Sequence, residues 1–271
     1  MWARAEAMGF DHAWTYDHIA WRTLRDGPWF AAVPTLTAAA MATSTIRLGT
    51  MVASPNFRHP VPFARELITL DDVSHGRLTA GLGAGGEGWD ATILGQAPWS
   101  ASERADHFDE FTALLDLVLR GPTTTFTGEH FSAHEAPNRP GCVQRPRVPF
   151  AIAATGPRGM RLAVEHADVW VTNGSRSHAG PPLPAPEGAA LVRAQMQRLD
   201  GHCAAAGRDP ATLDRLVVTG SRLDGGLGSV AAWQMTRAAY EEIGVTDLVV
   251  HWPRPTEPYE GDPAILEHLV D

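Results

Sequence analysis

The chain contains no lysine, so arginine supplies all 22 basic side chains, against 31 acidic ones. The formal net charge of −9 and the lack of a basic stripe exclude a typical nucleic-acid-binding surface. Only two cysteines occur, Cys142 and Cys203, and their separation suits neither a zinc site nor a disulfide framework. We therefore expect a reducing, cytoplasmic setting and no metal ion.

Long uninterrupted apolar runs are also missing, which excludes a membrane-spanning helix. The first eight residues carry charges and lack the apolar centre of a signal peptide, so no secretory leader is expected. What the sequence does have is a hydrophobic content of 44% over 271 residues, which suits one large globular unit. We predict that residues 1–271 form a single domain.

Short apolar segments alternate with helical patterns along the chain. They predict seven strands, each followed by a helix, at 12–16, 47–53, 78–82, 150–154, 169–172, 216–221 and 247–251. Repeated strand–helix units favour an α/β fold with a parallel sheet, and polar residues at several strand ends favour closure into a TIM (β/α)8-type barrel. Such a barrel has eight strands, so we expect the first strand to be missing from this chain.

The predicted helices include 29–43, 104–119, 189–206 and 263–270. In the second of these, apolar side chains recur at helical spacing and predict a stripe that faces the core: Phe108, Phe111, Leu115 and Val118. Irregular insertions are predicted at about 88–103, 121–148 and 173–188, where proline, glycine and polar residues are frequent. We expect these insertions to shape the mouth of a ligand pocket.

The sequence Thr15-Tyr16-Asp17-His18 places two ionisable residues directly after the first predicted strand. In a barrel, catalytic groups lie at the carboxyl ends of strands. A histidine side chain can exchange a proton with a substrate oxygen or a cofactor nitrogen, which makes His18 the preferred catalytic candidate. Asp17 either fixes the orientation of that imidazole or caps a turn. Taken alone, the tetrapeptide favours a structural interpretation, and later segments favour catalysis.

Several later segments follow in an ordered series: GTMVASPNFRHP at 49–60, LDDVSHGR at 70–77, GLGAGGE at 81–87, PFAIAATGP at 149–157 and ADVWVTNG at 167–174. With residues 9–18, they resemble the bacterial luciferase-like monooxygenase superfamily, including its coenzyme F420-dependent branch. The resemblance covers most of residues 1–175 and, more loosely, the rest. It implies a barrel that binds F420, or alternatively FMN, at the carboxyl ends of its strands.

The resemblance also implies where the cofactor binds. Met51 and Val52 match the position of a non-proline cis peptide that lies against the cofactor ring. Their positions after strand ends predict further cofactor-binding residues: Gly83, Gly85, Gly86, Ala154, Thr155, Gly156, Arg158, Asn173 and Gly174. A glycine-rich loop also fits a tight turn without a ligand. Likewise, the segment at 155–158 fits either a phosphate site or ordinary helix initiation.

Three more side chains are candidates, each with a structural alternative. Glu87 is either a third catalytic residue, which accepts a proton or binds the cofactor edge, or a solvated carboxylate. Trp21 is a predicted substrate contact through stacking, or a packing side chain. Arg58 either contacts substrate at the pocket mouth or pairs with a carboxylate on a helix.

The preferred function is an oxidoreductase that acts on a small organic substrate. It transfers a hydride with F420, or uses reduced FMN for monooxygenation. The alternative is a degenerate, non-catalytic flavin-binding barrel. A barrel hydrolase is disfavoured because neither paired carboxylates nor metal-ligand spacings occur at the strand ends. Since members of the family often dimerise, the resemblance also implies a homodimer.

Overall fold

The fold is known from a computed structural model that describes residues 1–21, 24–86, 89–175 and 180–270. The chain divides into two units, Met1–Ala153 and a second unit that begins at Ala154. Among the described residues, no helix combines the length and apolar character needed to cross a bilayer.

The first unit alternates helices with parallel strands. Its helices are α1 (Trp2–Ala7), α2 (Ala32–Ala42), α3 (Pro60–Val73), α4 (Trp89–Ile93) and α5 (Ala101–Arg120). Its strands are β1 (His12–Thr15), β2 (Arg47–Thr50), β3 (Leu78–Gly83), β4 (Thr123–Thr127), β5 (Ser132–Pro137) and β6 (Phe150–Ala153). Strands β1, β2, β3 and β6 pair in that order and are all parallel, whereas β4 and β5 form an antiparallel hairpin.

Parallel pairing decides which residues of the first unit share one sheet edge. His12 pairs with Arg47 in β1 and β2, and Leu48 pairs with Leu78 in β2 and β3. Because the strands run in the same direction, their carboxyl ends meet at one edge. The segments that follow β1, β2 and β3 are therefore neighbours, and they include most of the predicted catalytic residues.

The second unit continues the same alternation. Its elements are α6 (Pro157–His166), β7 (Val169–Thr172), α7 (Ala185–Ala206), β8 (Asp214–Val218), α8 (Val230–Glu241) and β9 (Asp247–Val249). Two short 3-10 helices span Pro210–Thr212 and Pro263–His268. Strands β7, β8 and β9 pair in that order, again parallel.

The predicted α/β alternation is confirmed, and all seven predicted strands occur within a few residues of their expected bounds. The apolar stripe of α5 is also confirmed, because its side chains are 0–2% exposed: Phe108, Phe111, Leu115 and Val118. Closure into one (β/α)8-type barrel, the single domain and the missing first strand stay predictions.

The description of residues 121–148 as irregular was wrong, because the segment contains the β4–β5 hairpin. A carboxylate on α5 holds its turn. Glu110 accepts hydrogen bonds from the backbone N–H groups of Glu129, His130 and Phe131, the last at 2.6 Å from Oε1. Sequence pattern alone gives no sign of this support, since Glu110 is remote in sequence.

Three helix predictions need new bounds. Helix α2 begins at Ala32 rather than at Trp29, whose indole N–H instead binds the carbonyl oxygen of His18 at 2.8 Å. Helix α7 begins at Ala185, inside the predicted 173–188 insertion, with a proline in its first turn. The last predicted α-helix is the 3-10 helix that begins at Pro263.

Candidate active site

Asp17 and Arg58 form a buried ion pair next to the end of β1. Arg58 Nη2 donates to Asp17 Oδ1 at 2.8 Å, and its Nε donates to Oδ2. Arg58 also reaches Glu66 on α3, with 2.7 Å between Nη1 and Oε2. Burial opposes the charged guanidinium, but the hydrogen bonds and charges of the two carboxylates outweigh it and raise the pKa of Arg58. Of the two predicted roles of Arg58, the structure therefore shows pairing with carboxylates, one of which lies on a helix.

His18 has a different carboxylate partner from the one predicted. Its Nδ1 lies 2.9 Å from Oδ2 of Asp90, in the first turn of α4. The other oxygen of Asp90 accepts the backbone N–H of Ile19 at 2.7 Å. The suggestion that Asp17 orients the imidazole is therefore wrong, because both Asp17 oxygens bind Arg58.

Aromatic side chains pack around His18. The Trp21 ring lies 4.6 Å from the imidazole, centroid to centroid, and is tilted by 41°. Trp21 also stacks on Tyr16 at 5.8 Å with an interplanar angle of 5°. These contacts give Trp21 a packing role, and its contact with substrate stays a prediction.

The Met51–Val52 peptide follows β2 and is cis, as the resemblance implies. Ala53 then returns to the sheet: its N–H donates to Gly81 and its carbonyl accepts from Gly83, at 2.8 and 2.9 Å. A Cβ at Gly83 would lie 2.5 Å from Val52 Cγ2. Packing against Val52 therefore explains this glycine without a ligand.

The loop after β3 is only partly described. Gly85 has a φ of +78° and faces Asn56 so closely that a Cβ would lie 2.3 Å from Asn56 Nδ2. At Gly86, by contrast, an added Cβ would meet no described atom within 4 Å. Of the described glycines in this loop, Gly86 is the one with open space around it. Glu87, the third predicted catalytic residue, lies outside the described residues.

In the second unit, the predicted phosphate-binding segment lies between β6 and α6. Gly156 is the N-cap of α6, and no side-chain hydrogen bond caps that helix. A Cβ at Gly156 would meet no described atom within 4 Å. Thr155 and Arg158 are partly buried on either side. Ala154 is already engaged, because its carbonyl oxygen accepts the Trp170 indole N–H at 2.7 Å.

Asn173 and Gly174 follow β7 and differ in exposure. Asn173 is exposed, whereas Gly174 is buried. The N–H of Gly174 donates to Thr172 Oγ1 at 3.2 Å, and its carbonyl accepts from Gln195 Nε2 at 3.1 Å. These bonds give Gly174 a structural role. Binding of a cofactor by either residue stays a prediction.

The second unit also contains a cavity of about 620 Å³ beside the ends of β8 and β9. Among its lining residues are Thr219, His251 and Tyr259. The His251 and Tyr259 rings stack at 3.5 Å. Burial lowers the pKa of His251 to about 4, although a backbone hydrogen bond at Thr219 opposes the shift. His251 is therefore neutral at pH 7, and its charge does not change near that pH.

Sequence reasoning missed two polar residues of the first unit. Asp90 gave a weak signal, since an acidic residue in the first turn of a helix is common. Ser54 gave none: it is 1% exposed, and its hydroxyl has no hydrogen-bond partner among the described residues. Ser54 lies close in sequence to the Met51–Val52 peptide. A buried, unsatisfied hydroxyl at this position suits a ligand-binding wall.

Comparison with known proteins identifies the family of this chain. The family described as luciferase-like monooxygenase matches residues 1–241. Since the matched residues make up most of the sequence, this chain belongs to the luciferase-like monooxygenase family.

Individual relatives are more specific. An F420-dependent glucose-6-phosphate dehydrogenase of Beutenbergia cavernae is 38% identical over 62% of this chain and 49% of its own length. An F420-dependent hydroxymycolic acid dehydrogenase of Mycobacterium tuberculosis is 30% identical over 78% of this chain and 54% of its own. The chain thus spans about half the length of these curated relatives.

A solved structure supports the fold over nearly the whole chain. An F420-dependent secondary alcohol dehydrogenase, in complex with an F420-acetone adduct, superposes with a TM-score of 0.80. The match covers 99% of this chain and 90% of that one at 18% identity. At this identity the likeness establishes the shared fold.

Proposed function

We propose that this protein is an F420-dependent oxidoreductase that transfers a hydride between F420 and the carbinol carbon of a small alcohol. The observation that carries the proposal is the His18–Asp90 pair beside the carboxyl end of β1. The F420-dependent activities named for the relatives support the choice of cofactor. The names of the same two relatives include glucose 6-phosphate and hydroxymycolic acid, both of which carry hydroxyl groups, and this supports the choice of an alcohol.

The first unit offers surfaces that suit a flat, largely apolar cofactor ring. Val52 is partly exposed after the cis peptide, and the buried Ser54 hydroxyl is a hydrogen-bonding group that the described residues leave unsatisfied. The space beside Gly86 allows the backbone to approach a ligand closely. We assign ring binding to Met51, Val52, Ser54 and Gly86.

An anionic group needs a local site, because the net charge of −9 opposes it. In the second unit, the start of α6 suits a phosphate, since its first N–H groups have no side-chain cap and Gly156 leaves space there. Arg158 adds a cationic side chain to this segment. We assign phosphate binding to Thr155, Gly156 and Arg158.

F420 supplies a two-electron hydride acceptor when it is bound. The protein then has to receive the hydroxyl proton of the alcohol, and His18 is suited to this role. Among the described residues, no hydrogen-bond partner occupies His18 Nε2. The Trp21 ring packs beside the imidazole and restricts water at its face. Asp17 is the carboxylate nearest to His18 in sequence. Because Arg58 neutralises it, Asp17 does not compete with His18 for the hydroxyl proton of the alcohol.

An assay of F420 reduction tests the proposal. Purified protein is mixed with oxidised F420 and a panel of alcohols that includes glucose 6-phosphate and 2-propanol, and the loss of F420 absorbance is followed. A parallel reaction contains reduced FMN, oxygen and the same compounds. We expect F420 reduction by at least one alcohol. Oxygen-dependent product formation with FMN, and none with F420, would favour monooxygenation instead.

The homodimer that the family resemblance implies stays a prediction.

A further inference from the structure

We propose that Asp90 is a positioning residue that holds the ring proton of His18 on Nδ1 and thereby leaves Nε2 as the proton acceptor. The inference deepens the proposed function and rests on it, since a proton acceptor is required only if an alcohol is oxidised. Asp90 itself contacts neither the substrate nor the cofactor in this account.

The two oxygens of Asp90 fix its carboxylate against the backbone that carries His18. Oδ1 accepts the N–H of Ile19, the next residue in the chain, at 2.7 Å. Oδ2 lies 2.9 Å from His18 Nδ1. An ionised carboxylate can only accept hydrogen bonds, so Nδ1 must donate. In the neutral imidazole, Nε2 is then the nitrogen with a free lone pair.

The surroundings of Asp90 make this pairing strong. Asp90 is 2% exposed, whereas the His18 side chain is 17% exposed. Among the residues that the structure describes, no arginine pairs with Asp90, in contrast to Asp17. A buried carboxylate needs its hydrogen-bond donors, because leaving one lone pair unsatisfied costs free energy. Rotation of the His18 ring away from Asp90 is therefore disfavoured.

The main chain of His18 is held as well. Its carbonyl oxygen accepts the indole N–H of Trp29 at 2.8 Å. The Asp90 bond to Ile19 N–H holds the following peptide. Because the backbone is held on both sides, the bond from Nδ1 to Asp90 restricts rotation of the His18 ring. It thereby fixes the direction in which Nε2 points.

The variant Asp90→Asn tests the assignment, because it replaces one carboxylate oxygen by an NH2 group that donates hydrogen bonds. The N–H of Ile19 still needs an acceptor, so the introduced amide keeps its oxygen there and directs its NH2 group at His18 Nδ1. Nδ1 must then accept, and the ring proton moves to Nε2. We expect kcat to fall by about 100-fold with the F420 dissociation constant changed less than about threefold.

Long-range 1H–15N NMR of histidine-labelled protein reads the tautomer directly, and the spectrum of His18→Gln identifies the His18 signals. We expect the Nδ1–H tautomer in the wild type and the Nε2–H tautomer in Asp90→Asn. Asp71→Asn is the matched control. Asp71 is also buried and accepts hydrogen bonds from the N–H of Val143 and from Gln144, but it does not contact His18. Its substitution should leave the His18 signals unchanged.

A wild-type His18 with its proton on Nε2 would overturn the inference, and this measurement needs no folded variant. An unchanged tautomer in a folded Asp90→Asn variant would overturn it too. If the tautomer changes as expected but the protein neither binds nor reduces F420, the positioning by Asp90 is supported and the proposed function fails. The two failures are therefore distinguishable.

Discussion

Asp17 and His18 are adjacent in sequence, but their surroundings differ in almost every respect. Asp17 is buried, and both its oxygens bind the guanidinium of Arg58. His18 is partly exposed and uses only Nδ1, toward Asp90. Both residues lie just after the end of β1, and each binds a different part of the chain. The comparison teaches that one member of the pair is committed to structure while the other keeps a nitrogen available for chemistry.

The largest expected effect comes from removing the available nitrogen. We predict that His18→Ala lowers F420-dependent turnover by about 100-fold to 10,000-fold, because a general base is lost, while F420 affinity is mostly kept. Steady-state kinetics with the most active alcohol of the panel and a separate F420 titration measure the two quantities. His134→Ala, at an exposed site on β5, is the control and should keep its turnover. Unchanged turnover in His18→Ala would assign His18 a structural role.

Removing the partner of Asp17 should affect stability instead. Arg58→Met leaves a buried carboxylate without its cation, and we expect the free energy of unfolding to fall by about 3–5 kcal/mol. Urea denaturation provides the measurement. Adding Asp17→Asn to this variant removes the unpaired charge and should recover part of the loss. A decrease below about 1 kcal/mol in Arg58→Met would show that the ion pair is not structurally important.

A second comparison sets His18 against His251, which burial holds neutral with a pKa of about 4. Because the unfolded side chain has a pKa near 6.5, His251 contributes stability above that pH. The contribution is lost as the pH falls from about 6.5 through 4, and it amounts to at most about 3 kcal/mol. His251→Phe keeps an aromatic ring beside Tyr259 and should reduce the acid-induced loss measured by urea denaturation. The exposed-site control His134→Phe should not, and equal pH dependence in all three proteins would contradict the assignment.

The smallest effect on stability is expected at Glu66, the more exposed of the two carboxylates that pair with Arg58. Glu66 has a side-chain exposure of 44% and lies 2.7 Å from Arg58 Nη1. Solvent weakens such pairs, so Glu66→Gln should lower the free energy of unfolding by less than about 1 kcal/mol. A loss as large as that of Arg58→Met would mean that Glu66, and not Asp17, is the main partner.

The strand pattern could be predicted because local sequence determines it. Apolar runs such as 47–53 and 78–82 are bounded by turn residues, and the helix stripe of α5 has helical spacing. The β4–β5 hairpin could not be predicted, because its turn depends on Glu110, 19–21 residues earlier in the chain.

The candidate site was only partly predictable for a related reason. The position of His18 at a strand end follows from the sequence, but its partner does not, since Asp90 is 72 residues away. The glycine at position 83 was expected to expose backbone to a ligand, whereas its close approach to Val52 already requires the missing Cβ. Partners brought together by tertiary structure leave no periodic signal along the chain.

Titration of the purified, folded protein with F420 tests the central claim most directly. F420 fluorescence and absorbance report binding of the oxidised and reduced forms, and FMN in both redox states provides the comparison. We predict micromolar or tighter binding of F420 and weaker binding of FMN. Binding of neither cofactor to folded protein would contradict the assignment of this chain as an F420-dependent oxidoreductase.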